Sequence, residues 1–432
     1  MDKRYVLFCW LLIIPFLGNA QRKRPQVLVY GYGADAYAAA LQSAMSNLNT
    51  VWVVNGDRIM PELTSEFISL TNNAHLDAGI WANLLAATKK AKPSDSLLVV
   101  VKRRINPQLV QNAMDSVLKT FNNLTVIEAG TLRSVKKSGK NWRVELSDRS
   151  RFNVLAVVDA STDAQLYRMA QGTLDSFSVR IDISADYFQS VPYGGLARTG
   201  VAVGERGGRG YTLPLAALVP AGENNLFLTR YIPAVRLLAN DTEADIPLLM
   251  HVGQAVGAAA AYTAFFKTTP DKLDARSVQG ELLQYGARLI PFTDVPLESP
   301  HFDAIQHVGA TGMLLGREGA DGQLCFDADS AVTAEEVRPV LNTLFSRSQI
   351  WFINHADVDT LTIADLLSYI KFVGQRGNEL EEQVEKYWQR RYHFEGEFDA
   401  QKRATRTHVA VLLDVYCSPF DVKVGLDGAI QR

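Results

Sequence analysis

One stretch near the N-terminus, VLVYGYGADAYAAA at residues 27–40, most constrains how this chain can fold. Four strand-forming residues lead into Gly31 and Gly33, and an alanine-rich segment typical of a helix follows directly. In a strand–turn–helix unit of this kind, one glycine makes the tight turn. A second lets a pyrophosphate approach the free amides at the start of the helix. The stretch therefore indicates a dinucleotide-binding α/β fold, or at least the shape of one.

Five residues of this turn are candidate cofactor-binding positions: Gly31, Gly33, Ala34, Asp35 and Ala36. Ala36 supplies the small third residue that lets the helix pack closely on the strand. Asp35 fits less well, because a carboxylate in this loop repels a diphosphate unless its side chain turns outward.

The end of the second predicted strand is the expected place for an acidic side chain that holds the ribose hydroxyls. Asn55 occupies this place, and an uncharged acceptor makes weaker hydrogen bonds than a carboxylate does. Asp57 lies two residues further on and would substitute if the turn bends inward. Asn55 and Asp57 are therefore the candidate ribose-binding residues.

Residues 26–170 alternate between short apolar runs and helical patterns, which predicts a parallel sheet covered on both faces. Asn106 and Pro107 are typical of a helix start. A polar segment at 134–148 predicts an antiparallel hairpin with Ser138-Gly139 at its tip. The predicted strands are residues 27–30, 51–54, 97–101, 124–129 and 155–161, and the predicted helices follow Asp35 and cover 78–90 and 107–121.

The pattern changes after residue 172. Alternation in SFSVRIDIS (176–184) predicts one or two antiparallel strands, and the glycine-rich residues 204–210 predict a flexible connection. From Tyr211 the α/β pattern returns, with a strand at 225–229 and a long helix at 247–266. Short amphipathic helices and polar turns follow Pro291.

A twelve-residue pattern occurs twice in this C-terminal part, at 326–337 and 398–409, and indicates an internal duplication. A half-copy begins at Thr362. Thr333, Thr362 and Thr405 can each cap a helix. Coincidental helix caps are the alternative explanation.

The first residues have the features of a cleaved secretory signal. Lys3-Arg4 is a basic start, residues 5–17 are apolar, and residues 18–20 have the small-x-small pattern of a cleavage site. A helix of that apolar length spans about 20 Å, less than the roughly 30 Å of a bilayer core. Export to the periplasm or out of a bacterial cell is predicted, with no transmembrane segment. A buried N-terminal helix is the alternative.

Net charge and cysteine content bear on three features: nucleic-acid binding, a disulfide bond and a metal site. A formal net charge of −2 gives no electrostatic reason to expect nucleic acid. Only Cys325 and Cys417 would remain after cleavage, and their spacing leaves open whether they pair. No Cys-x-x-Cys or His-x-x-x-His pair occurs, so no metal site is expected.

Several motifs together resemble FAD-dependent oxidoreductases with the glutathione-reductase-type fold, in particular exported bacterial members. The resemblance covers about residues 26–290 and implies FAD as cofactor and an unknown small-molecule substrate. It places the pyrophosphate on residues 31–36 and lets Ala160, Ser161 and Asp163 close over the cofactor. No catalytic residue is assigned. The motifs, in chain order, are residues 27–40, VVDASTDAQL at 157–166, YTLP at 211–214, NLFL at 225–228 and GQAVG at 253–257.

The chain departs from that family at positions that touch the flavin. Pro61-Glu62 replaces a pair of glycines after the second strand, and Thr162 replaces the glycine of the second signature. Residues 235–238 and 241–243 lack the usual His and Ser-x-Arg, although Arg236 is a candidate replacement for one lost polar group. Two interpretations follow: an FAD-dependent oxidoreductase, or a non-catalytic envelope protein that keeps the fold and has lost the cofactor.

The C-terminal part resembles S-layer homology repeats, on Asp294-Val295-Pro296, Gly312, Gly316, Thr333-x-x-Glu336 and Thr405-Arg406. The resemblance implies a cell-envelope polysaccharide as a partner. Because Ala334 stands where the family has an arginine, a packing module is the alternative.

The sequence thus predicts a Rossmann-like FAD/NAD(P)-binding α/β domain with a parallel sheet and small antiparallel insertions, followed by a mainly α-helical repeat region. The predicted divisions are a signal peptide (1–20), a first FAD-binding part (21–172), a short substrate-domain-like insertion (173–210), a return to the FAD-binding domain (211–290) and helical repeats (291–432).

Overall fold

The computed structural model describes residues 24–64, 66–188, 194–222, 224–240, 242–319 and 322–431. The predicted signal peptide at residues 1–20, Cys9 within it and Asp241 of the flavin-end segment lie outside these residues.

A five-stranded parallel sheet forms the centre of the fold, with the order β10-β7-β1-β2-β3. The predicted α/β fold with a parallel sheet is therefore confirmed. Its strands are β1 (Val27–Gly31), β2 (Thr50–Val53), β3 (Leu124–Ile127), β7 (Ala156–Ala160) and β10 (Leu226–Leu228). The chain runs from β1 outward to β3 on one side and returns to build β7 and β10 on the other. The order of the strands therefore reverses between β1 and β7, which is where ligands bind in open α/β sheets.

Small antiparallel sheets attach to this centre. The predicted hairpin at 134–148 is confirmed and gains a third strand. Its strands are β4 (Leu132–Ser138), β5 (Asn141–Leu146) and β6 (Arg151–Val154), and a separate hairpin pairs β8 (Gly200–Arg206) with β9 (Arg209–Pro214). The glycine-rich residues 204–210 are thus mostly paired strand around a Gly207-Gly208 turn, and the prediction of a flexible connection was wrong.

Helices pack against the sheet and connect its strands. They are α1 (Ala34–Met45), α2 (Gly79–Ala87), α3 (Asp95–Lys102), α4 (Pro107–Leu118), α5 (Gln165–Gln171), α6 (Pro233–Arg236), α7 (Ile246–Phe265) and α8 (Ala275–Gln284). Asn106 caps α4 as predicted, since its side chain accepts hydrogen bonds from the amides of Gln108 (3.0 Å) and Leu109 (3.3 Å).

Two segments differ from the predicted strands. Residues 97–101 belong to α3, because Ser94 caps its start and Leu98, Val101 and Lys102 share one buried helical face while Val100 is exposed. Residues 176–184 form no strand: the backbone of this segment bonds loop 216–221 and leaves only an isolated bridge between Val179 and Pro220.

The long helix α7 packs against α1 through glycine. A methyl group on Gly257 would lie 2.6 Å from the carbonyl oxygen of Ala39, and one on Gly253 would overlap the backbone of Asp35. Among the described residues, Glu243–Phe265 is the one helical stretch with the length and hydropathy of a membrane span. Its most apolar part is almost entirely buried inside the protein, as the core helix of a globular domain is.

The C-terminal part is helical and has an approximate threefold arrangement. The amide of Val332 donates to the carbonyl of Ala404 (3.1 Å), that of Ala404 to Leu361 (2.8 Å) and that of Leu361 to Val332 (2.9 Å), which closes a ring. Its elements are α9 (Phe302–Thr311), β11 (Arg317–Glu318), β12 (Leu324–Cys325), α10 (Ala334–Leu344), α11 (Ser348–Asn354), α12 (Ile363–Val373), α13 (Glu379–Tyr387) and α14 (Arg406–Cys417).

Each residue of the ring precedes a threonine that caps a helix. Thr333, Thr362 and Thr405 accept hydrogen bonds from the amides three residues on, at 3.2, 3.1 and 3.3 Å. His408 completes a capping box, since its Nδ1 accepts the amide of Thr405 at 3.0 Å. The three caps are structurally equivalent, which supports the internal repeat. A relation to S-layer homology repeats stays a prediction.

Candidate functional site

The turn between β1 and α1 lies at the point where the strand order reverses. Gly31 pairs with Ala160 of β7, and its φ of 133° is rarely adopted by other residues. A methyl group on Gly31 would overlap the backbone of Ala160 and lie 2.6 Å from the amide nitrogen of Ser161. Trp52 holds the turn from the other side, because its Nε1 donates to the carbonyl of Gly31 at 3.0 Å. Glycine at this position is therefore a packing requirement.

Asp35 turns into the protein. Its side chain is fully buried, and its two oxygens accept hydrogen bonds from residues that follow β10. Thr229 Oγ1 donates to Oδ2 at 2.5 Å, while Arg230 donates to Oδ1 from Nε (3.1 Å) and Nη2 (2.9 Å). Burial raises the pKa of Asp35, and the guanidinium of Arg230 opposes this rise. The guanidinium of Arg230 thus balances the charge of the Asp35 carboxylate.

Arg230 also binds a second carboxylate. Its Nη2 forms an ion pair with Oε1 of Glu62, and the side chains of both residues are only 13% exposed. Burial works against the charge of Arg230, but the carboxylates of Asp35 and Glu62 outweigh it and raise its pKa. The guanidinium therefore stays charged between two acidic partners, and we call these three residues the Arg230 cluster.

The Arg230 cluster covers Gly33. This glycine has φ 101° and precedes the first residue of α1. A methyl group on Gly33 would overlap Nη2 of Arg230 and Oε1 of Glu62. The amide of Gly33 donates to the carbonyl of Ile59 at 2.7 Å. Side chains and backbone of this chain thus fill the place where the sequence predicts a pyrophosphate.

The second predicted group of cofactor contacts lies in the turn after β7. Its polar groups form hydrogen bonds within that turn. Asp159 is buried and accepts hydrogen bonds from Ser161 Oγ (2.6 Å), the amide of Ser161 (3.0 Å) and the amide of Tyr167 (2.8 Å). Burial raises the pKa of Asp159 to about 6, against the effect of these bonds. Ser161 Oγ in turn accepts from the amide of Gln165 (2.7 Å), whereas Asp163 is exposed.

The ribose candidates lie beyond the end of β2. Asn55 is half-buried, and its Oδ1 is buried without a hydrogen-bond partner. Burial raises the pKa of Tyr30 to about 12, and the neighbouring Asn55 side chain opposes this rise. Gly56 follows under the ring of Tyr32, whose Cδ1 would lie 2.7 Å from a methyl group there. Asp57 is exposed at the edge of a cavity.

That cavity, the Asp57 cavity, has a volume of about 880 Å³ and adjoins the ends of β2 and β3. Its position beside the carboxyl ends of these strands is where the adenosine half of a dinucleotide lies in such folds. Its polar lining residues are Asp57, Arg58, Thr64, Asn106, Gln108, Gln111, Asp115 and Glu128.

A second cavity, the Arg236 cavity, has a volume of about 630 Å³ and lies beyond the Arg230 cluster. The replaced glycine positions Pro61, Glu62 and Thr162 meet on its wall, and so does Arg236, the candidate substitute. The described departures from the family pattern at the flavin end therefore converge here. Other lining residues include Tyr32, Arg230, Tyr231, Val235, Thr242 and Leu249.

The residues present fit an FAD molecule only in part. The Gly31 turn and the two cavities fit the outline of a dinucleotide groove. At Gly33 the fit fails, because two carboxylates and a carbonyl oxygen surround the place that a diphosphate would need, and Arg230 is the one side chain of the cluster that attracts it.

The sequence pattern alone did not identify Arg230, Thr229 or the role of Glu62. The signal was present, because Thr229 and Arg230 directly follow a strand of the parallel sheet. Residues after such strands share one edge with the Gly31 turn. Within the described ranges, no group of three or more His, Cys, Asp or Glu side chains is placed to hold a metal ion. The structure does not join Cys325 to Cys417.

Comparison with solved structures gives matches of low similarity. The thioredoxin reductase TrxB from Bacillus anthracis is 12% identical over 32% of this chain and 36% of its own, with a TM-score of 0.22. The bacillithiol disulfide reductase Bdr from Staphylococcus aureus is 11% identical over 38% of this chain and 43% of its own, with a TM-score of 0.23. Cyclohexanone monooxygenase from Rhodococcus sp. Phi1 is 15% identical over 32% and 25%, with a TM-score of 0.24.

The matched segment spans less than half of each of these three structures. None of the curated proteins matches the chain. A family model described as FAD dependent oxidoreductase matches residues 26–175, which run from β1 through β7 and α5. This match relates the chain to the FAD-dependent oxidoreductases and points to FAD as its cofactor.

Proposed function

We propose that this chain is an exported FAD-dependent oxidoreductase-like protein that acts on a small-molecule substrate in the bacterial envelope. One observation carries the proposal: the segment matched by the family model holds a glycine turn at the point where the strand order reverses. That point is where this fold class binds dinucleotides. Redox chemistry would be supplied by the flavin, and the protein would bind and orient it.

The two cavities support this proposal. The Asp57 cavity lies beside the strands that contact adenosine in this fold class, and the Arg236 cavity lies where the flavin end would follow. Arg236 is exposed at that second cavity and could bind an anionic group of a substrate. Export is supported by the basic and apolar pattern of residues 3–20.

Absorbance of the purified chain, produced from residue 21 onward, tests the cofactor. We expect it to show a flavin band either as isolated or after incubation with FAD and removal of excess, and to release FAD on denaturation. Asp163 is exposed at the turn after β7, so an Asp163→Ala variant should retain the fold. This variant tests the predicted contact between Asp163 and FAD. Colourless protein that takes up no added FAD would contradict the proposal and favour the non-catalytic envelope protein.

The C-terminal repeats are proposed to contact a cell-envelope polysaccharide, on the strength of their sequence pattern. Arg406, the arginine of the Thr-Arg pair, has a fully buried side chain that donates to the carbonyls of Phe326 (2.6 Å) and Leu315 (2.5 Å) and pairs with Glu336. Binding would therefore use other side chains. A pull-down of the full mature chain with purified envelope polysaccharide should recover it, and no recovery would leave the repeats as a packing module.

A further inference from the structure

We infer that the Glu62 carboxylate takes the place of the cofactor's pyrophosphate, and that a dinucleotide enters only when Arg230 exchanges Glu62 for phosphate. The inference rests on the proposed function, since it concerns the same site. It makes Glu62 the residue that determines whether this fold accepts a diphosphate.

The first reason is position. Oε1 of Glu62 lies directly over Gly33, where a methyl group would overlap it, and pairs there with Nη2 of Arg230. A carboxylate at this point faces the start of α1, which has no side-chain cap. Anions are stabilised at such helix starts and by arginine. Glu62 therefore has the partners that a phosphate oxygen would seek.

The second reason is the state of Glu62 itself. Its other oxygen, Oε2, is buried without a hydrogen-bond partner. A buried acceptor of this kind carries a desolvation cost that a solvated side chain does not. Glu62 is therefore held by Arg230 and can be displaced without breaking further hydrogen bonds of its own carboxylate.

The third reason is the path of the chain. Residues 56–60, 63 and 64 line the Asp57 cavity, whereas Pro61 and Glu62 line the Arg236 cavity. This one segment contributes to both walls, and Ile59 bonds the amide of Gly33 between them. A molecule as long as FAD must pass from one cavity to the other at this point, so Glu62 lies on its path.

The fourth reason is the charge of the Arg230 cluster. One guanidinium faces two carboxylates, which leaves a net negative charge when all three are ionised. Arg230 holds Asp35 through Nε as well as Nη2, whereas it holds Glu62 through Nη2. Exchange of Glu62 for phosphate thus keeps the pair with Asp35 and removes one repelling carboxylate.

Isothermal titration of the full mature chain with adenosine, ADP and FAD tests this inference. The variants are Glu62→Gln, which keeps the shape, and Glu62→Ala, which also removes the bulk. Glu66→Gln is the matched control, because it removes one exposed charge from the same segment. Circular dichroism and thermal unfolding report whether each variant is folded.

We expect the wild type to bind ADP no more tightly than adenosine. Both Glu62 variants should bind ADP and FAD roughly tenfold or more tightly than the wild type, a change of one order in the dissociation constant. Their affinity for adenosine should be unchanged, and Glu66→Gln should behave as the wild type.

Other results overturn the inference in distinguishable ways. If the wild type binds FAD, and the Glu62 variants bind ADP and FAD only as tightly as the wild type does, the inference fails while the proposed function stands. If folded wild type and variants bind none of the three ligands, both fail. An equal gain in Glu66→Gln would reduce the effect to general charge and would also refute the role of Glu62.

Discussion

Replacement of Arg230 by methionine removes the guanidinium that neutralises a carboxylate with no exposed surface. Asp35 would keep the 2.5 Å hydrogen bond from Thr229 but lose both bonds from Arg230. Removing one partner of a buried ion pair costs about 3–5 kcal/mol of folding free energy. Arg230 is 13% exposed and Asp35 is not exposed at all, so we expect a loss at the lower end of this range.

The loss should depend on pH with a defined sign. An unpaired buried carboxyl has a folded-state pKa raised above its unfolded value, so the folded state takes up a proton first as the pH falls. The deficit of Arg230→Met should therefore be largest near neutral pH and shrink as the pH falls toward about 4, the ordinary carboxyl pKa. A second change, Asp35→Asn, made in the same chain should recover most of the stability at neutral pH.

Urea unfolding followed by tryptophan fluorescence, at about pH 7 and about pH 5, measures these differences. Arg236→Met is the matched control, because Arg236 is exposed on the neighbouring wall, and it should change stability by no more than about 0.5 kcal/mol. A loss below about 1 kcal/mol for Arg230→Met, or an equal loss at both pH values, would refute the assignment of Arg230 as the counter-ion of Asp35.

Three further substitutions have defined outcomes. Lys102→Met leaves buried Asp77 without the ammonium that lies 2.6 Å from it, and should cost about 3–5 kcal/mol in urea unfolding; a loss under 1 kcal/mol would contradict the pair. Arg406→Met removes buried charged hydrogen bonds and should cost about 2–3 kcal/mol, seen as faster proteolysis of the C-terminal part; unchanged proteolysis would show that these bonds contribute little. Gly31→Ala places a methyl group against the backbone of Ala160 and should cost more than about 2 kcal/mol in thermal unfolding; an unchanged midpoint would mean that the turn can relax.

The central sheet was predictable from sequence because four of its five strands are buried along their whole length. Short, mainly apolar runs with turn signals on either side each overlap a strand of the sheet; they are residues 27–30, 51–54, 124–129 and 155–161. The run at 97–101 has the same composition and forms a helix. Periodicity cannot separate the two in so short a run.

Residues 176–184 show that a strand-like sequence pattern does not always form a strand. Their alternation of apolar and polar side chains is typical of a strand, and their backbone does bond another segment. That segment, residues 216–221, is a loop whose position depends on the whole domain. Local pattern therefore predicted one or two antiparallel strands, which was wrong, because tertiary context decided that no ladder forms.

One part of the candidate site follows from local sequence, and another part depends on residues that are distant in sequence. The Gly31 turn was predicted from its own residues, and the end of β7 was placed beside it by the resemblance to FAD-dependent oxidoreductases; the structure pairs Gly31 with Ala160. The inward turn of Asp35 was not predicted, since its partners Thr229 and Arg230 lie almost two hundred residues away. A sequence places a carboxylate in a loop, but only the fold supplies the cation that neutralises it.

The departures from the family pattern at residues 61, 62 and 162 lie together in the structure. The adjacent pair Pro61-Glu62 and the distant Thr162 stand where the family pattern has glycines, and they line one cavity together with Arg230. Glycines leave room for a ligand, whereas these side chains occupy it. Because Glu62 pairs with the same guanidinium that neutralises Asp35, a carboxylate in the turn and a carboxylate above it depend on one arginine. A glycine at residue 62 is therefore expected to free Arg230 for phosphate while the pair of Arg230 with Asp35 stays in place.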